Sequence, residues 1–172
     1  MKNCLIIAHA RSGSSNLCRS IASANNLNMC FEPLSRPGSL YYDSCTKVIV
    51  TRRPVEFFYE LAKRYEKVVL LSRRDTLAAA ESLVYLKTSG HSNVDVKWSE
   101  LTSTQKVLVP ERLEQIRQDK INIDTLSSFL DVPIDYYEDI YTEHRLKDSA
   151  IKLDIKFFHS SKKCKVERRD LI

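Results

Sequence analysis

A short apolar run, Cys4-Leu5-Ile6-Ile7-Ala8, breaks straight into Arg11-Ser12-Gly13-Ser14-Ser15-Asn16, and an amphipathic pattern follows at once. A run of that length, bounded by a glycine, reads as a buried strand. The pattern over residues 15–24 puts Leu17, Cys18, Ile21 and Ala24 on one face of a helix. Strand, glycine turn and helix in that order form a place where an anion can sit. The helix start offers unpaired N–H groups and the positive end of its dipole. Gly13 lets the backbone approach a ligand closely, and Ser14 and Ser15 add hydroxyl donors. Because the whole chain holds only three glycines, one at this position is informative. The alternative reading of the same residues is an ordinary capped helix after a strand.

The rest of the chain continues the alternation of apolar runs and helical patterns that marks an α/β fold. Residues 29–31 form a short second strand candidate, and residues 36–39 a turn around Pro37 and Gly38. Residues 47–51 are a strong strand candidate. Pro54 suits the first turn of a helix that carries Phe57, Phe58, Leu61 and Tyr65. Residues 68–72 read as another buried strand, followed by a helix with Asp75 as its N-cap and an end near Lys87. Residues 88–99 are polar, include Gly90, and predict a mobile loop. Trp98 within it is expected to be a packed anchor, with stacking on a ligand as the alternative. Residues 99–130 are helical in pattern, with a break or restart expected at Pro110. Residues 132–137 read as a last strand, and the tail beyond is rich in lysine and arginine.

At 172 residues the chain fits one domain, residues 1–172. With 43% hydrophobic and 28% charged residues it belongs to the globular class. No window approaches the ~18 apolar residues of a membrane span, and the N-terminal run is too short for a signal peptide. A cytoplasmic protein is expected. Five cysteines without a C-x-x-C pair predict reduced thiols packed as small hydrophobes. The histidines are scattered, so no metal site is expected. A net charge of +5 suits an anionic ligand, whereas nucleic-acid binding asks for a denser basic patch with interleaved aromatics.

Against the phosphate-loop pattern G-x-x-x-x-G-K-[ST], Ala8 stands at the first glycine, Gly13 at the second, and Ser14 replaces the lysine. Without that lysine a γ-phosphate loses its main point-charge partner. A shorter anion, held by backbone, hydroxyls and Arg11, is favoured over ATP or GTP.

Arg11-Ser12-Gly13-Ser14-Ser15 resembles the 5′-phosphosulfate loop of sulfotransferases that use 3′-phosphoadenosine-5′-phosphosulfate, with Ala10 in place of the usual proline. The arginine variant is closest in motif to the tyrosylprotein and bacterial glycolipid branches. Arg74-Asp75, followed by Ser82 eight positions after the arginine, resembles the family's 3′-phosphate motif. Arg73 is the alternative if the strand ends one residue early. Tyr136-Tyr137-Glu138-Asp139 resembles a later segment whose tyrosine lies near the nucleotide.

The resemblance covers about residues 4–140 and implies a P-loop-like three-layer fold with a mostly parallel sheet flanked by helices. It implies that Arg11, Ser12, Gly13, Ser14, Ser15, Asn16, Arg74, Ser82 and Tyr137 bind the donor, with no metal required. It also implies that Glu32, in Cys30-Phe31-Glu32-Pro33, is the general base. Arg52 would contact the transferring sulfonate, and Arg11 would stabilise charge on it. The acceptor, a hydroxyl or an amine, is left open. A P-loop nucleotide kinase or NTPase is the alternative enzyme, and a non-catalytic nucleotide-binding module the alternative outside enzymes.

Overall fold

The structure, a computed structural model, describes residues 3–31, 44–51, 53–90, 96, 98–142 and 145–146. The chain is α/β, with a five-stranded, wholly parallel sheet in the order β2-β3-β1-β4-β5. Its strands are β1 (Cys4–Ala8), β2 (Asn28–Phe31), β3 (Ser44–Ile49), β4 (Lys67–Ser72) and β5 (Ile134–Tyr136). The helices are α1 (Ser14–Asn25), α2 (Val55–Ala62), α3 (Thr76–Ser89), α4 (Ser103–Leu130) and the single turn α5 (Tyr137–Ile140). Two short antiparallel strands, β6 (Tyr141–Thr142) and β7 (Arg145–Leu146), follow.

β1 lies at the centre and is buried at every residue, as expected of a parallel strand covered on both faces. Its side chains alternate. Leu5 and Ile7 join Val48, Phe58, Leu61, Ile123 and Leu126 under α2 and α4. Cys4, Ile6 and Ala8 join Leu17, Cys18, Ile21, Val69 and Tyr141 on the opposite face, under α1 and α5. The result is three layers. The third cluster, with Ala80, Val84, Val109 and Ile116, joins α3 to α4.

Several boundaries differ from the sequence expectation. β3 starts three residues earlier than residues 47–51 would have it and ends at Ile49. Its polar start is paired internally, Ser44 Oγ with Thr46 Oγ1 at 3.2 Å, so the hydroxyls tolerate burial. In α1 the buried face continues through Ala22, and Ala24 is exposed. Pro110 does not break α4. The capping box of Thr102 and Gln105 secures the helix ahead of the proline, and Val109 and Ile116 pack on either side of it. These interactions outweigh an interior proline's penalty of ~3 kcal/mol. Trp98 is not a packed anchor: it is 47% exposed, in a three-residue turn that buries none of its side chains. Gly90 ends α3 in a left-handed conformation, and residues 91–95 and 97 lie outside the described residues, as do the turn at 36–39, the basic tail and Cys164. The other four cysteines are buried and free. Among the described residues no helix is long and apolar enough to cross a membrane.

The strand order sets where a ligand can bind. From β1 the chain moves to β2 and β3 on one side, whereas from β4 it moves to β5 on the other. The winding direction therefore switches between β1 and β4, and the carboxyl ends of those two strands open a crevice.

Candidate functional site

The loop after β1 fills that crevice. His9 is fully buried and uses both ring nitrogens. The Arg73 N–H donates to His9 Nε2 at 2.9 Å, so the ring proton sits on Nδ1, which donates to the Ala10 carbonyl at 2.8 Å. Burial holds the imidazole down at a pKa of about 4, so it is neutral at pH 7. This neutral ring ties the ends of β1 and β4 together.

Two residues of the loop, Arg11 (φ 64°) and Gly13 (φ 84°), have left-handed backbone conformations. An arginine there is strained, and such strain collects at ligand-binding turns. Ser12, between them, is buried and donates its hydroxyl inward to the His9 carbonyl at 2.9 Å. Its hydroxyl is thus a brace for the loop, and an anion would meet its backbone N–H instead.

Arg11 reaches across to α3, where its Nε–H donates to Ser82 Oγ at 2.8 Å. This joins the first motif to the second, although the sequence pairs Ser82 with Arg74. The Arg74 guanidinium turns the other way. It donates through Nη1 and Nη2 to both carboxylate oxygens of Asp139, at 2.7 and 2.6 Å. It also lies over the Tyr136 ring, 4.1 Å from its centre. The pair is open to solvent, with the two side chains 51% and 57% exposed, so water and other anions compete for it. Glu138 accepts from the N–H groups of Arg74 and Asp75 at 3.0 and 3.1 Å. Burial opposes its ionisation, but these two donors, with its own N–H and the charge of Arg73, together hold the carboxyl below the usual range. Asp75 caps α3 as expected, accepting from the Ala78 N–H at 2.9 Å.

Arg73 lies at the floor of the same crevice. Its guanidinium is 4.7 Å from the Tyr137 ring centre, and its Nε is buried without a hydrogen-bond partner among the described residues.

Gly13 is held from above. Tyr141 donates its hydroxyl to the Gly13 carbonyl at 2.7 Å, and the rings of Tyr137 and Tyr141 stack with centres 4.5 Å apart. A Cβ at Gly13 would lie 2.7 Å from Tyr141 Cε2 and 2.9 Å from Tyr137 Cδ2. Tyr137 therefore packs on the loop, against Gly13. Behind the glycine, α1 begins with no side-chain cap and no acidic residue in its first turn. Its first N–H groups are donors for an anion or water. Ser14 is buried there, Ser15 half-buried and Asn16 exposed.

Two polar groups at this edge escaped the sequence reading. Lys47, in the middle of β3, is only 5% exposed and donates from Nζ to Ser15 Oγ at 3.2 Å. In the sequence Lys47 merely precedes the apolar run Val48-Ile49-Val50, so its burial left no signal there. Asp119 lies on the buried stripe of α4 with Ile116, Ile123 and Leu126, and accepts from Thr51 Oγ1 at 2.8 Å. Burial pushes its pKa up to about 6, against the opposing effect of the Thr51 hydrogen bond. A carboxylate on an apolar helical stripe was the signal in this case.

Arg11, Ser12, Gly13, Ser14, Ser15, Asn16, Ser82 and Tyr137 thus surround one loop, with Arg74 at its rim. Glu32 and Arg52 lie outside the described residues. No protein-family model matches the chain, and no curated protein matches its sequence.

Proposed function

We propose that the protein is a sulfotransferase that takes a sulfonyl group from 3′-phosphoadenosine-5′-phosphosulfate and passes it to a hydroxyl or amine acceptor. The observation that carries this reading is the meeting of two motifs that lie 71 residues apart in the chain, through the 2.8 Å hydrogen bond from Arg11 to Ser82. They meet at the switch point, in front of the uncapped α1 N-terminus. A nucleotide carrying separate phosphates on its 5′ and 3′ positions fits two adjacent cationic motifs. The first loop would take the 5′-phosphosulfate, and Arg74 with Ser82 the 3′-phosphate.

The donor supplies the sulfonyl group. Glu32 takes the acceptor's proton as the acceptor oxygen or nitrogen bonds to sulfur and the bond from sulfur to the 5′-phosphate oxygen breaks. Arg11 and Arg52 neutralise charge on the sulfonate and on the departing bridging oxygen, with the loop N–H groups. Arg11 stays cationic throughout, because a guanidinium does not give up its proton at neutral pH. Positioning and fixed charge supply the rate enhancement.

In this reading the 3′-phosphate takes Arg74 from Asp139. Arg74→Ala is therefore expected to weaken adenosine 3′,5′-bisphosphate by about tenfold or more, the worth of a charge-assisted hydrogen bond, and to leave AMP nearly unchanged. Isothermal titration with both nucleotides checks this. If Arg73→Ala shows the selective loss and Arg74→Ala does not, the 3′-phosphate contact belongs to Arg73 and its buried Nε. If neither variant discriminates the nucleotides, there is no 3′-phosphate site at the end of β4.

A further inference from the structure

The end of β4 already holds two anions, both supplied by the chain itself. Asp139 takes both Nη groups of the Arg74 guanidinium, at 2.7 and 2.6 Å. Its neighbour Glu138 takes the N–H groups of Arg74 and Asp75, one carboxylate oxygen on each, at 3.0 and 3.1 Å. Both carboxylates come from the single turn α5, which also carries Tyr137 onto Gly13. Oxygens forked onto a guanidinium and onto the backbone N–H groups beside it are the contacts a phosphate takes at the end of a strand. Internal anions therefore stand at the place where the second motif would receive its phosphate.

The two carboxylates differ in what a ligand can displace. Glu138 fastens α5 to the turn through backbone N–H groups, and those bonds stay when the Arg74 side chain moves. Asp139 therefore remains beside Arg74 at a high effective concentration. It also has an interaction besides the one with Arg74, so release of the guanidinium does not leave it without a partner. The ion pair itself is open to water, with the side chains 51% and 57% exposed, so a ligand with more charge can break it. A phosphate monoester carries about 1.5 to 2 negative charges at pH 7 and three acceptor oxygens, against one charge and two oxygens for a carboxylate.

We infer that Asp139 is an internal competitor for the 3′-phosphate: it pairs Arg74 until a 3′-phosphate displaces it, and so lowers the affinity for every 3′-phosphorylated nucleotide, the spent donor included. This inference rests on the sulfotransferase reading and concerns a residue to which the family resemblance gives no role. Asp139→Asn keeps the size of the side chain and removes its charge. It is expected to tighten binding of adenosine 3′,5′-bisphosphate by about fivefold, the worth of a well-formed exposed ion pair. AMP, which has no 3′-phosphate, should bind as before. In an Arg74→Ala background the same substitution should give no gain, because no guanidinium is left to compete for. Asp139→Ala should show the same gain, and takes the place of Asp139→Asn if that variant does not fold.

Isothermal titration of the wild type, Asp139→Asn, Arg74→Ala and the double variant with both nucleotides tests this. A gain confined to the bisphosphate and lost without Arg74 upholds the inference. Unchanged or weaker bisphosphate affinity in Asp139→Asn overturns it. So does an equal gain for AMP, or a gain that persists without Arg74, either of which marks a general effect of charge. A wild-type protein that binds neither nucleotide overturns the sulfotransferase reading itself and this inference with it, a result distinct from all of these.

Discussion

Gly13→Ala is expected to destabilise the protein by about 2–5 kcal/mol and to abolish nucleotide binding at the loop. Two penalties combine. At φ 84° an L side chain is in the left-handed region, at a cost of roughly 1–2 kcal/mol. The new Cβ would also lie 2.7 Å from Tyr141 and 2.9 Å from Tyr137, and overpacking of that kind costs roughly 1–3 kcal/mol. Gly90 is the natural control. It has a similar φ of 75°, and nothing among the described residues lies within 4 Å of its would-be Cβ. Gly90→Ala should therefore show the backbone penalty alone, roughly 1–2 kcal/mol. Urea unfolding of both variants reads the difference. Adding Tyr141→Ala to Gly13→Ala should recover part of the steric loss, since the two residues share one contact. Equal destabilisation by the two alanines would mean that the stacked tyrosines do not constrain the loop.

Glu32→Gln is expected to leave the donor nucleotide bound and to slow sulfonyl transfer by roughly 10²–10⁴-fold. Glutamine keeps the size and hydrogen bonding of the side chain but is a far poorer proton acceptor. Arg11→Ala should impair both steps, because in the proposed mechanism its charge would meet the phosphosulfate in the ground state and more tightly as charge develops. Ser82→Ala separates the two jobs of that arginine: it removes the 2.8 Å tether from α3 and leaves the guanidinium in place. Single-turnover rates measured beside donor affinities give the three phenotypes. A Glu32→Gln protein with an unchanged rate, where chemistry limits turnover, would move the base to another residue.

The architecture was legible in the sequence where local pattern and burial agree. β1 falls on its apolar run residue for residue, because a central parallel strand needs no polar face. Asp75 caps α3 because the short carboxylate finds the N–H of Ala78 wherever that helix begins. Pro110 was misread because a local penalty was weighed without the cap before it and the packing around it.

The structure brings Arg11, Ser82 and Tyr137 to the loop at Gly13, but the partners that each takes there were not legible in the sequence. The family resemblance pairs Arg74 with Ser82. The left-handed turn at Arg11 sends a different guanidinium to that serine, and Asp139, 65 residues along the chain, takes Arg74. Such exchanges depend on which loops meet at the sheet edge, and no local pattern carries that information. Asp119 was present in the sequence as a polar interruption of an apolar stripe, whereas Lys47 merely precedes the apolar run Val48-Ile49-Val50. Their significance depends on neighbours, Ser15 and Thr51, that only the fold supplies.

On the proposed reading, this loop and the end of β4 together recognise a nucleotide with separate 5′- and 3′-phosphates. That reading is tested most directly by the thermal shift of the wild-type protein with adenosine 3′,5′-bisphosphate, AMP and magnesium–ATP at matched concentrations. A ligand that binds only the folded chain adds about 2.7 kcal/mol of stability at a hundredfold excess over its dissociation constant. A large rise in melting temperature is expected with the bisphosphate, and far smaller rises with AMP and ATP. Equal shifts with AMP and the bisphosphate, or the largest shift with magnesium–ATP, would contradict it.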